Sequence, residues 1–407
     1  MTASVLRLKN VARVGGGQSP PSDEVTTFEG EGLPFLQGNA EFGSDHPRPR
    51  NRCDAPPRVA PAGSILMSVR APVGALNWAD RDYGIGRGLC SIVPTKGEAR
   101  YVWWALQAAV PALRSVATGS TFEAVAVEDV AGVFLPAHDE RVQRRITDFL
   151  DYETARIDAL IAAKQRMVDG LIASRMDTMR AGVAGEVVSG DRSKASLAWL
   201  PELPTHWGMA KLTLLARLGS GHTPSRSRPE WWMNPTIPWI TTGEVAQMRS
   251  DRIELILETR EMISELGMAN SSAELHPAGT VVLCRTASAG YSAIMGGPMA
   301  VSQDFATWTC GPHLDPRFLL LCLRAMRRDL LERLAMGSTH KTIYMPDIES
   351  IRVPVPPMDE QHRLVEWVWS RLRRIDAIVD TLTAQIALLR ERRQALITAA
   401  VTGEIEV

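Results

Sequence analysis

Arg156-Ile157-Asp158-Ala159 recurs as Arg374-Ile375-Asp376-Ala377, 218 positions further along the chain. At the same displacement Val183, Gly185 and Glu186 return as Val401, Gly403 and Glu404, Gly119-Ser120-Thr121 as Gly337-Ser338-Thr339, and Asp129 as Asp347. Towards the start the displacement shrinks a little, as it must if loops differ in length. Ala12-Arg13-Val14-Gly15 matches Ala216-Arg217-Leu218-Gly219, and Leu33-Pro34-Phe35-Leu36 matches Ile237-Pro238-Trp239-Ile240. Pro61-Ala62-Gly63 before Ser64-Ile65-Leu66 matches Pro277-Ala278-Gly279 before Thr280-Val281-Val282. One such match is chance; seven in the same order are a tandem duplication. Each copy is domain-sized, so the product is two similar modules and not a solenoid.

The bulk numbers fit that reading. A chain of 407 residues exceeds one ordinary domain. With 45% hydrophobic and 22% charged residues it is globular and not a disordered polymer. A net charge of -1 excludes a uniformly basic nucleic-acid binder but leaves room for a local basic face. Cys53, Cys90, Cys284, Cys310 and Cys322 form no CxxC pair, which fits buried thiols in a reducing compartment. No apolar run has signal-peptide or membrane-spanning length, so a cytoplasmic protein with no membrane partner is expected.

The clearest elements are two long helices. Val368, Ile375, Leu382, Leu389 and Leu396 fall seven apart, a heptad row with Ile378, Val379 and Ile386 read beside it. Arg371, Arg373, Arg390, Arg392 and Arg393 are read as lying outside that seam. The earlier copy carries Leu150, Ile157 and Leu171, with Leu160, Ile161, Met167 and Val168 beside them, and Lys164 and Thr178 where the later copy has leucine. A helix of about 36 residues is about 54 Å long and needs a partner for its apolar stripe. The expectation is that the two copies pair antiparallel.

Before each long helix the pattern changes to short β-rich runs entered from a Pro-Ala-Gly turn, at 64–69 and 280–284, with another at 351–355. Shorter helices are expected at 101–114 and 318–334. The fold class is therefore α+β, with two tandem recognition modules, each followed by a long helix. The boundaries are 1–140 for the first module, 141–187 for the central helical region, and 188–204 for a linker. The second module is 205–358 and the closing helical region 359–407.

The stretch from Ala395 to Ile405, with Thr398-Ala399-Ala400-Val401-Thr402-Gly403-Glu404 at its centre, resembles the end of type I restriction-modification specificity subunits. Leu203-Pro204-Thr205-His206-Trp207, Pro357-Met358-Asp359-Glu360-Gln361, and Glu153-Thr154-Ala155-Arg156-Ile157-Asp158 are similar to further marks of that family. Ile85-Gly86-Arg87-Gly88-Leu89 and Ser302-Gln303-Asp304-Phe305 look like pieces of its target-recognition domains. The first module departs from the pattern by lacking a Leu-Pro-x-x-Trp opening, and its helix ends in the weaker Arg180-Ala181-Gly182-Val183-Ala184-Gly185. The resemblance implies a non-catalytic subunit that binds double-stranded DNA at a bipartite asymmetric site. It also implies two modification subunits as partners, with a restriction subunit able to join. No cofactor is implied in this chain: S-adenosylmethionine belongs to the modification subunit, ATP and Mg to the restriction subunit.

Readers of bases are arginine, lysine, asparagine or glutamine side chains on groove-facing loops. The unequal loops offer Arg48, Arg50, Arg52 and Arg70 in the first module, and Arg226, Arg228, Arg285 and Lys341 in the second. The plain alternative for any one of them is a solvated surface charge. Ser338, Thr339, His340 and Lys341 suit a phosphate clamp, against the alternative of a simple turn.

Rival readings are weaker. Phe28-Glu29-Gly30-Glu31-Gly32 fits an S-adenosylmethionine motif, but Leu33-Pro34-Phe35-Leu36 follows where a helix is required. Asn234-Pro235-Thr236-Ile237 falls short of the catalytic loop of adenine methyltransferases, and Gly15-Gly16-Gly17 lacks the lysine of a P-loop. Trp103-Trp104 and Trp231-Trp232 read as core packing before base stacking. A coiled-coil DNA-binding scaffold, or a decayed, methylation-silent specificity protein, accounts for the helices but not for two diverged modules.

Overall fold

A computed structural model describes residues 4–27, 32–117, 123–197, 199–335 and 341–407. Residues 28–31 of the Phe28 motif, Gly119-Ser120-Thr121, and Ser338, Thr339 and His340 lie outside the described residues. The chain divides into two compact units, Met1–Gln165 with Thr383–Val407, and Arg166–Leu382. Each long helix, Glu140–Val183 and Met358–Thr402, thus contributes to both.

In the first unit Ala12–Gly16, Leu89–Pro94, Ile65–Ser68 and Leu76–Trp78 form an antiparallel four-stranded sheet in that order. Ile65, Met67, Cys90 and Ile92 point into a core closed by Tyr101, Trp104 and Leu106 of the helix Ala99–Ser115. Leu150 from one long helix and Ile397, Ala400 and Val401 from the other complete it.

The second unit repeats the plan. Ala216–Ser220, Phe305–Cys310, Val281–Cys284 and Ser292–Met295 pair in the same order, and Leu255–Ile256 adds a parallel fifth strand. The register repeats as well: Ile65 faces Trp78 as Val281 faces Ile294. Trp308, Phe318 to Leu323, and Leu364 to Leu372 at the start of the long helix fill its core.

The Gln361 of Pro357–Gln361 has a definite task. Its Oε1 accepts from the backbone N–H of Asp315, 2.9 Å away, and its Nε2 donates to the carbonyls of His313 and Pro356. Asp315 in turn caps the helix Pro316–Ala325, accepting from Arg317 and Phe318. Gln143 does the same for the N-cap Glu98 in the first unit, 2.8 Å from its N–H.

The long helices pair antiparallel. In the first unit Lys164 Nζ donates to Gln385 Oε1 at 2.7 Å, and Asp158 meets Arg393 at 2.9 Å. In the second, Arg175 pairs with Asp376. The seam alternates three and four residues. Val368 and Leu382 are buried, with Ile375, Leu389 and Leu396 half-buried. The companion row is Val365, Leu372, Val379, Ile386 and Arg393, all covered. Ile378 is correspondingly not part of it, at 47% exposed. On the other helix Leu150 and Ile157 are buried and Leu171 half-buried, while Leu160 and Met167 face out. The companion row there is Thr154, Ile161, Val168 and Arg175, so Ile161 and Val168 lie in it as expected. Arg393 was expected outside the seam and sits within it, because Asp158 and the Gln107 carboxamide, 3.2 Å away, neutralise and bind its guanidinium.

The stretch expected as a linker, 188–204, carries two strands. Arg192–Leu197 and Leu200–Pro204 form an antiparallel hairpin, with Leu200 and Leu203 buried in the second unit's core. Arg192 fastens it by donating to the carbonyls of Ala184 and Gly185.

Candidate nucleic-acid interface

One junction is built twice. In the first unit the loop leaving Ala12–Gly16 runs against the turn Ile85-Gly86-Arg87. Gln18 N–H donates to Ile85 O at 2.9 Å. A Cβ at Gly17 would stand 2.2 Å from Gly86 O, so the approach requires glycine. In the second unit the loop leaving Ala216–Ser220 meets the turn Val301-Ser302-Gln303 in the same way. His222 N–H donates to Val301 O at 3.1 Å, and a Cβ at Gly221 would stand 1.8 Å from that oxygen.

The next residue of each loop is a hydroxyl held at the turn. Ser19 Oγ accepts from the N–H of Arg87 at 3.3 Å and from Gln37 Nε2 at 2.8 Å. Thr223 Oγ1 donates to Gln303 Oε1 at 2.6 Å. Arg87 and Gln303 are both exposed.

Of the basic residues expected in the second module, Arg285 meets the second junction directly. Arg285 Nε donates to Gln303 O at 2.9 Å, and its carbonyl accepts from Ile343, two residues beyond Lys341. Arg226 and Arg228 continue the loop from Thr223. Arg226 is engaged: its guanidinium lies 4.0 Å from the Trp232 ring centroid and 2.5 Å from Glu261. Arg228 stands 3.7 Å from Glu230, and Lys341 Nζ donates to Leu331 O at 3.2 Å.

In the first unit Arg70 is exposed beside Val69, whose N–H donates to Gly88 O at 3.0 Å, so it flanks the junction. Arg48 and Arg50 are exposed on the segment before Asn51–Cys53. Arg52 turns from that strand to the carbonyl of Gly32, at 2.5 Å. Arg87 and Gln303 were not singled out as readers from the sequence, although both turns carrying them were. The signal was their shared place, visible once Ser19 is matched with Thr223.

Burial pushes the thiols of Cys90 and Cys310 up to about 12 and that of Cys284 to about 11, so they stay protonated. Trp103 and Trp104 are core residues. Among the described residues no cluster of histidine, cysteine and carboxylate side chains is suited to a metal ion, and no helix is long and apolar enough to cross a membrane.

Residues 204–393 match the family model described as "Type I restriction modification DNA specificity domain". The MjaIX specificity subunit of Methanocaldococcus jannaschii aligns over 99% of this chain and 93% of its own length, at 20% identity. The family model, the curated relatives and the solved structures all indicate a type I restriction-modification specificity subunit. The MjaX specificity subunit of the same organism is 34% identical over 173 residues, covering 42% of this chain and 40% of that relative, so this alignment spans less than half its length. The fold agrees. A chain from the structure of a type I R-M system, described for its complex assembly and conformational transition, superposes over 99% of this chain and 98% of its own. Its TM-score is 0.69 at 18% identity. The HsdS subunit from Thermoanaerobacter tengcongensis covers 99% of this chain and 97% of its own, with a TM-score of 0.52 at 17% identity. Specificity subunits are the non-catalytic components of their complexes.

Proposed function

We propose that this specificity subunit binds double-stranded DNA at a bipartite, asymmetric site, each module gripping one half. The observation that carries the reading is the junction built twice on the same backbone frame and lined by different side chains. A shared frame gives both modules the same approach to a groove, and different side chains give them different targets. Two tethered modules also gain affinity through effective concentration when both engage.

The paired long helices act as the spacer that sets the gap between half-sites. They and their flanks dock two modification subunits, which bind S-adenosylmethionine and methylate adenine; a restriction subunit can join with ATP and Mg. The chain itself holds no cofactor and works in the cytoplasm.

Long-read methylation sequencing of a host expressing this chain with its neighbouring modification subunit tests the proposal. The expected result is methyl-adenine at one split motif with a fixed gap, absent when this chain is omitted. No methylation by an assembled complex supplied with S-adenosylmethionine overturns it in favour of a scaffold or a silent specificity protein.

A further inference from the structure

The repeat puts Arg87 and Gln303 in one structural position. Gly17, Gln18 and Ser19 correspond to Gly221, His222 and Thr223, and Ile85 and Arg87 to Val301 and Gln303. The equivalence rests on paired contacts and not on resemblance of letters. The same backbone bond joins Gln18 to Ile85 and His222 to Val301. The same glycine contact presses each loop onto its turn. The hydroxyl at that position accepts from the backbone N–H of residue 87 in one unit and donates to the side chain of residue 303 in the other. The loop is thereby fixed against the turn, and an exposed side chain stands at its tip.

What differs is the side chain, in a protein whose two modules need different targets. Among the described residues the Arg87 guanidinium makes no hydrogen bond or ion pair, so its full donor fork is available. Arginine presents two parallel donors, matching O6 and N7 of guanine in the major groove. Gln303 presents a carbonyl and an amide, matching N6 and N7 of adenine. Thr223 holds that carboxamide at one point by donating to one lone pair of Oε1. The second lone pair and both Nε2 hydrogens remain for the base.

We propose that positions 87 and 303 are equivalent base-reading positions, Arg87 for guanine in one half-site and Gln303 for adenine in the other. This rests on the reading of two DNA-binding modules given above. A solvated surface residue is the alternative for either alone. It gives no reason for a hydroxyl clamp and a glycine-only contact at the same place in both modules.

The test uses the full chain with its modification subunit, carrying Arg87→Gln or Gln303→Arg, with methylation mapped across the genome. The expected result is a change at one base pair of one half-site for Arg87→Gln, guanine giving way to adenine, and the opposite change in the other half-site for Gln303→Arg. Discrimination at each position should shift by about 10-fold to 100-fold. Motifs that stay unchanged overturn the proposal, as does a single substitution that alters both half-sites. If a variant abolishes methylation, binding to oligonucleotides bearing each base at each half-site position decides: uniform weakening overturns the proposal, and a preference moved at one position upholds it. A wild-type chain that directs no methylation removes the underlying reading, and the inference with it.

Discussion

The two units meet their pair of long helices through the same frame and fill it differently. Arg175 with Asp376 in the second unit corresponds to Arg393 with Asp158 in the first, 218 positions apart in each case. In the second unit the turn carrying Asp251 is drawn into this frame. Its carbonyl accepts from Arg175 at 3.1 Å and from Arg324 at 2.8 Å, and its carboxylate takes both ends of Arg327 at 2.5 and 2.8 Å. Asp251 adopts a left-handed backbone, φ 54°, to do so. Arg324 is wholly buried; desolvation lowers it to about 10 against the pull of Asp251, so it remains a cation at neutral pH. In the first unit Gln107 and Val110 stand where Arg324 and Arg327 stand in the second. The space beside them is a cavity of about 730 Å³ floored by Trp103 and Trp104. The cause is loop length: 24 positions separate Leu36 from Ala60, whereas 36 separate Ile240 from His276, and the Asp251 turn lies within the longer stretch. The helix frame comes from the duplicated sequence, and its filling from an unequal loop.

The largest effect that breaks or sharpens this comparison is at Asp251. Asp251→Ala leaves the buried Arg324 and the Arg327 fork uncompensated, which costs about 3–5 kcal/mol. Gln107→Ala removes one hydrogen-bond acceptor of Arg393 and costs about 1 kcal/mol. Urea unfolding of both variants measures the difference. Equal costs would mean that the arginine network is no more than a surface feature.

A smaller asymmetry is acid sensitivity. His276 is buried with Nε2 3.3 Å from Ser220 O, and desolvation lowers its pKa below the ordinary histidine value. The folded state therefore disfavours the protonated ring. Stability is fully present above the unfolded value of about 6.5 and is lost as pH falls below it. The corresponding residue in the first unit is Ala60, which titrates nothing. Thermal melting between pH 7.5 and 5.5 should show the second unit losing stability, with the slope reduced in His276→Gln. A slope unchanged in that variant would assign the sensitivity elsewhere.

The duplication, the α+β modules and the long helices were legible because each is carried by repeated letters or apolar spacing. Val368, Ile375, Leu382, Leu389 and Leu396 mark their row without help. The companion row was harder, since Arg393 on one helix and Thr154 and Arg175 on the other interrupt an apolar pattern. Only the position of Asp158 and Asp376 explains why arginine is tolerated there. The hairpin 192–204 read as a linker because its serines and charges are frequent, while the burial of Leu200 and Leu203 depends on a surface formed by distant residues. The junction was hidden for a third reason. Its loop repeats at 204 positions and its turn at 216, so no single alignment displacement brings Ser19 onto Thr223 and Arg87 onto Gln303 together.

The central claim is that two equivalent modules each read their own target while the helices set the gap between targets. Its most direct test is to insert or remove a few residues within 150–176 of the first long helix and map the methylated motif. The account predicts a changed gap with both half-site sequences intact. Altered half-sites with an unchanged gap would contradict it.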